Sequence, residues 1–93
     1  MEVVGRPVKN KVGGIVMKTV TVRLDSIEKI KIFNRTVCKF DCDFDLEQGR
    51  YYIDAKSMLG IMSLDLSSQL ELHFSSTEEE EAEILEAIKE FLV

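Results

Sequence analysis

Apolar side chains fall at every second position in several short runs of this chain, and a run with that period can bury only one face. Residues 17–24, MKTVTVRL, put Val20, Val22 and Leu24 on one side and Thr19, Thr21 and Arg23 on the other. In DCDFDL, residues 41–46, Cys42, Phe44 and Leu46 alternate with Asp41, Asp43 and Asp45. QLELHF, residues 69–74, turns Leu70, Leu72 and Phe74 inward and leaves Gln69, Glu71 and His73 outside. Between them Glu47-Gln48-Gly49-Arg50 supplies a short turn and YYIDA a returning strand, so residues 41–55 read as a hairpin. Strands with one apolar face pack most economically as a single antiparallel sheet covered on one side.

The cover is legible where the period changes to that of a helix. Asp25 or Ser26 caps a helix starting near Ile27, in which Ile30, Phe33, Val37 and Phe40 share a face. Lys31, Arg35 and Lys39 make a basic stripe on another side, read as a solvated surface. Ser57 caps a short apolar segment, MLGIMSL, that Ser67-Ser68 breaks. Thr77 and Glu80 form a capping box before a helix lined by Ile84, Leu85, Ile88, Phe91 and Leu92. The acidic first turn, Glu78 to Glu81, suits the positive end of that helix. The expected order is β-α-β-β-α-β-α, an α+β open-faced sandwich with three helices on one face of the sheet.

Residues 1–15 carry Gly5, Pro7, Gly13 and Gly14 without periodicity and read as a flexible tail ahead of a domain spanning 16–93. Gly13-Gly14 shortly before Met17 is what a translated ribosome-binding site would leave, which makes Met17 a candidate start. No apolar run approaches the roughly 20 residues of a membrane-spanning helix, and no signal peptide is visible, so a cytoplasmic protein is expected.

Charge narrows the partners. The total is −5, divided into +6 over residues 1–39 and −11 over residues 40–93. A polyanion is bound by neutralising its phosphates with Lys and Arg, so nucleic acid is not the expected partner. Cys38 and Cys42 match no zinc pattern and read as reduced thiols and small core residues. Asp41, Asp43 and Asp45 lack the glycine turn and terminal Glu of a calcium loop. No metal, cofactor or catalytic residue is expected.

Asp54-Ala55-Lys56-Ser57-Met58-Leu59-Gly60-Ile61-Met62-Ser63-Leu64 resembles the N-A-K-S-I-M-G-V-M-S-L segment of HPr, the phosphocarrier of the bacterial phosphoenolpyruvate:sugar phosphotransferase system. The resemblance runs from about Phe40 to the end of the chain. It implies a four-stranded antiparallel sheet in the order 1-4-2-3, the same element order as that read from periodicity.

The first third departs from the family. Where HPr proteins carry G-L-H-A-R-P, this chain has Leu24-Asp25-Ser26-Ile27-Glu28-Lys29. Counting back without gaps from Ser57, Ser26 occupies the place of the phosphorylated His, and Glu28 that of the Arg. A phosphohistidine relay needs an imidazole and a cation for the arriving phosphate. A phosphoserine ester is not a high-energy donor, and Glu28 would add like charge. The one histidine, His73, reads as a solvent-facing strand residue. Carrier activity is therefore not expected.

Ser57 matches the serine that an ATP-dependent HPr kinase/phosphorylase modifies in Gram-positive HPr. There the modified form binds a LacI-type transcription factor in carbon catabolite repression. The paralogue Crh has likewise lost the His and kept the Ser. By that resemblance, Lys56, Met58, Leu59 and Met62 would be the partner-binding residues beside a phosphorylated Ser57, with protein partners drawn from these or other phosphotransferase-system proteins. Lys56 is expected to set a cation beside the phosphate, and methionines suit an adaptable contact surface. Two other readings stay open: a carrier using His73 or Ser26 as acceptor, and a fold turned to an unrelated binding role.

Overall fold

Side-chain period and capping residues together fix where each element begins. In the computed structural model, which describes residues 15–93, the order is β1 Val16–Val22, α1 Ile27–Val37, β2 Phe44–Gln48, β3 Tyr51–Asp54, α2 Met58–Met62, β4 Leu70–Ser76 and α3 Glu78–Ile88. A single 3-10 turn, Lys89–Phe91, follows α3. The expected tail lies outside the described residues except for Ile15.

The strands form one sheet in the order β1-β4-β2-β3, every pair antiparallel. Val20 stands opposite Leu72 on one side of β4, and Leu46 opposite Leu72 on the other. Because successive side chains alternate, this register sends Val22, Phe44, Leu46, Leu70, Leu72 and Phe74 to one face, where all are buried. Ile30, Phe33 and Val37 of α1, Ile61 of α2, and Ile84 and Ile88 of α3 close over them in one core. Phe33 meets Phe91 edge to face, ring centroids 5.4 Å apart, a geometry that adds to the burial of both rings.

Each helix start is held by an oxygen side chain. Ser26 Oγ accepts from Lys29 N at 3.1 Å, and Ser57 Oγ accepts from Gly60 N at 3.1 Å. Thr77 and Glu80 make the reciprocal pair of a capping box. Gly49, at φ +62°, turns β2 into β3 in a conformation that a Cβ disfavours. The far end of the hairpin is clipped to the loop before β4: Gln48 Nε2 donates to the Asp65 carbonyl, and Asp65 N donates to Gln48 Oε1, both at 2.8 Å.

Several boundaries differ from the sequence reading. β1 stops at Val22, although Leu24 beyond it is still fully buried. α1 ends at Val37, and Phe40 reaches the core from the following turn. β2 begins at Phe44 rather than Asp41, because its ladder with β4 starts at the Phe44–Phe74 pair. Cys42 keeps the alternation going from a bend, and is buried as expected. Cys38 is not a core residue: it is the C-cap of α1 and lies exposed. Phe91 and Leu92 lie beyond α3. Leu92 forms an antiparallel bridge with Val22, and Arg23 N donates to the Phe91 carbonyl at 2.9 Å, so the end of the chain docks on β1.

Replacing Phe33 with Ala should cost about 3–5 kcal/mol in urea unfolding, since it removes a fully buried ring and leaves a cavity. Ile32→Ala, one residue away and 43% exposed, should change stability by less than about 0.5 kcal/mol.

Candidate functional site

The sequence picks out two helix N-termini, and both lie on the covered side of the sheet. At the first, Ser26 is the N-cap of α1 and Asp25 precedes it. Asp25 pairs with Lys29 at 3.2 Å and with Arg23 at 3.8 Å. The hydrogen bond and charge of Lys29, and then the charge of Arg23, hold its carboxyl below the usual range. Glu28 stands exposed in the first turn. The nearest cations thus already face a carboxylate, and the capping hydroxyl already accepts a backbone N–H. No imidazole is present, because the only histidine of the chain is His73 on β4.

The second N-terminus is built by the loop from β3 into α2. Ala55 is fully buried and its N–H donates to the Phe44 carbonyl at 2.9 Å. Asn34 Nδ2 of α1 donates to the Ala55 carbonyl at 3.3 Å, and Asp54 Oδ1 accepts from Lys56 N at 2.9 Å. These bonds present Ser57, which is exposed, at the head of a helix only five residues long. Gly60 allows the close approach. A Cβ there would lie 3.3 Å from both Ser57 Oγ and Ile53 Cδ1, tight enough to push the capping hydroxyl.

The other expected partner-binding residues do not all share one surface. Leu59 is 82% exposed and Met62 43%, one turn apart on the outer side of α2. Met58 is half-buried and packs on the core. Lys56 does not stand as a free cation beside Ser57. Its amine donates to the Phe40 carbonyl at 2.7 Å and lies 5.9 Å from the Phe44 ring centroid. The expectation of a lysine positioned for a phosphate is corrected by that geometry: the loop carbonyl captures the amine.

His73 also differs from its reading as a solvent-facing residue. Its side chain is 23% exposed. Nδ1 lies 2.9 Å from Thr19 Oγ1, Nε2 lies 2.8 Å from Glu47 Oε1, and the ring stacks on Tyr52 at 5.6 Å. Glu71 joins this group, with ligand-type atoms of Glu47, Glu71 and His73 all within 4.8 Å of one another. Hydrophobic period alone hides this cluster; its signal in the sequence is Glu71-Leu72-His73 in a strand, which puts two metal-ligand types on one face.

The remaining candidates separate. Lys31, Arg35 and Lys39 are exposed on or just beyond α1. Asp41 and Asp43 precede β2, whereas Asp45 is within it and half-buried. Burial, then the charges of Asp54 and Asp43, push the Asp45 carboxyl up. Burial, followed by the charge of Glu80, pushes the Cys42 thiol up and away from reactive thiolate character.

Comparison with known proteins bears on the same elements. The family model described as PTS HPr component phosphorylation site matches residues 28–93. The crystal structure of a phosphocarrier protein HPr from Bacillus anthracis str. Ames is 27% identical, with a TM-score of 0.61, covering 85% of this chain and 98% of that one. HPr-C-His from Thermoanaerobacter tengcongensis is 26% identical, with a TM-score of 0.60, covering 78% and 88%. Among curated protein sequences nothing matches the chain.

If Ser57 Oγ holds α2 in place, Ser57→Ala should lower stability in urea by about 1 kcal/mol, whereas Ser57→Asp, which keeps a capping oxygen, should stay within about 0.5 kcal/mol of the parent.

Proposed function

The chain belongs to the HPr family of the phosphotransferase system, and on that premise we propose that it is a non-catalytic, protein-binding member whose switch is phosphorylation of Ser57. The observation that carries this reading is the contrast between two capping serines. Ser57 is exposed beside uncovered apolar side chains, whereas Ser26, at the α1 start, is flanked by carboxylates with no imidazole near it.

A relay through α1 would need an acceptor that both takes and gives up a phosphoryl group. Ser26 would form a stable ester, and Asp25 and Glu28 would oppose the incoming charge. His73 has the right chemistry in the wrong setting. Carboxylate oxygens only accept, so His73 donates from Nε2 to Glu47, and its Nδ1 is engaged with the Thr19 hydroxyl. Both nitrogens are occupied, which disfavours the reading of a relocated carrier.

Ser57 suits a stable mark instead. Esterification removes the donor hydroxyl hydrogen and sets a dianion next to Leu59 and Met62. The partner that fits presents Arg or Lys beside an apolar groove. A LacI-type regulator, or the HPr kinase/phosphorylase itself, is the partner class that the family resemblance supplies. Leu59 and Met62 supply the contact; Met58 supports them from below, and Lys56 holds the loop. A cytoplasmic location fits this reading, since ATP-dependent modification of this kind belongs to that compartment.

Incubation with an HPr kinase and ATP should add one phosphoryl group, located on Ser57 by mass spectrometry and absent from Ser57→Ala. Phosphoenolpyruvate with enzyme I should leave the chain unlabelled. Label on His73 or Ser26 from phosphoenolpyruvate would restore the carrier reading, and no label from either donor would leave the fold to an unrelated binding role.

A further inference from the structure

Among the described residues, helices cover one face of the sheet only, and register assigns the residues of the other. From Thr19 opposite His73, Asp45 opposite His73 and Asp45 opposite Asp54, the uncovered face carries Thr19, Asp45, Glu47, Tyr52, Asp54, Glu71 and His73. Four of these are carboxylates and one is an imidazole. No strand position on this face is Lys or Arg: the same alternation places Met17, Thr21 and Ser75 there as well. Lys18, on β1, points the other way and pairs with Glu81 of α3 at 3.2 Å.

Glu47 and Glu71 are direct cross-strand partners, a like-charge pairing that costs stability unless something positive lies between them. His73 Nε2 lies 2.8 Å from Glu47 Oε1, and a Glu71 oxygen lies within 4.8 Å of both. Its ring is held from behind, by Thr19 Oγ1 on Nδ1 and by Tyr52 against its plane. A metal-binding histidine is oriented by a polar partner on the nitrogen that does not bind the ion, and Thr19 takes that place on Nδ1. Beside the pair lies an open depression of about 270 Å³, lined by Glu47, Gln48, Gly49, Gln69 and Glu71. It leaves room for water or an incoming ligand.

The geometry points to a divalent transition-metal site on the uncovered face, of the zinc class, with Glu47, Glu71 and His73 Nε2 as its three protein ligands. One nitrogen and two carboxylates suit such ions better than magnesium or calcium, which take oxygen alone. Bonds of about 2.0–2.2 Å set tetrahedral ligand atoms about 3.4 Å apart, so separations of up to 4.8 Å close while the 2.8 Å contact of His73 Nε2 with Glu47 opens. Exposed glutamate side chains have that freedom. With the ion bound, the ring proton sits on Nδ1, where it is donated to Thr19 Oγ1, and the Nε2 lone pair faces the ion. The site is independent of Ser57, which belongs to the helical side.

Zinc titration followed by long-range proton–nitrogen NMR tests this, because the chain's only histidine gives an unambiguous signal. Expected are saturation at one zinc per chain, an Nε2 resonance moved while Nδ1 becomes the protonated nitrogen, and a thermal midpoint raised by on the order of 10 °C at a hundredfold excess over the dissociation constant. His73→Gln and Glu71→Gln should each weaken zinc binding tenfold or more. Glu71→Gln should also raise the metal-free midpoint, since it relieves the cross-strand repulsion. That opposite sign separates a ligand from a merely structural residue. Thr19→Val should weaken binding severalfold. Absence of a saturable His73 shift, equal binding by the His73→Gln variant, or loss of binding only in Cys38→Ser would overturn the assignment.

Discussion

One-sided burial is the constraint on which the rest of the structure depends. Each strand has an apolar and a polar set, and the register around β4 puts every apolar set on the same side. A one-residue slip in any ladder would send Leu72 or Leu46 to water and a carboxylate into the core, so register is strongly specified. The same rule leaves the second face without cover among the described residues. What collects there is a set of groups whose charges must be balanced by something other than packing. The helical side and the bare side therefore meet different physical demands, and the two proposed sites divide along the same line.

On the helical side, the capping residues do two jobs. A helix of five residues has little stability of its own, so α2 depends on Ser57 Oγ, on Ile61 in the core and on the hydrogen bonds that anchor Ala55 and Lys56. Chemistry at Ser57 therefore acts on an element near its threshold for holding shape. Adding a phosphoryl group changes both the charge displayed and the bond that fixes the first turn. Thr77 has no such exposure to modification: it is half-buried and tied reciprocally to Glu80.

Much of this was legible in the sequence because it follows from period and local chemistry. The alternation of Leu70, Leu72 and Phe74, the spacing of Ile30, Phe33 and Val37, and the Thr77–Glu80 box depend on neighbours a few positions away. What was not legible depends on residues distant in sequence. β2 begins at Phe44 because Phe74 is its partner, and nothing in DCDFDL announces that. Cys38 looked like core because it is small and apolar, yet the helix ends beneath it. Lys56 looked like a cation for Ser57, and a carbonyl sixteen residues earlier took it instead. His73 appeared solvated because no local pattern shows Thr19, Glu47 and Tyr52 arriving from three other strands.

If Ser26 takes the place of the family's histidine, the start of α1 makes that change harder to reverse than one substitution suggests. Returning a histidine to position 26 would remove the oxygen that accepts from Lys29 N, leaving a first-turn donor without its cap. The cations that could steady a phosphate, Lys29 and Arg23, already flank Asp25, which keeps its negative charge the more firmly for their presence. Glu28 would remain in the same turn. A carrier's start needs donors and cations unengaged, with the carboxylates elsewhere. Here every one of those conditions is inverted, and on the proposed reading that end of the molecule is a helix cap while recognition falls to α2.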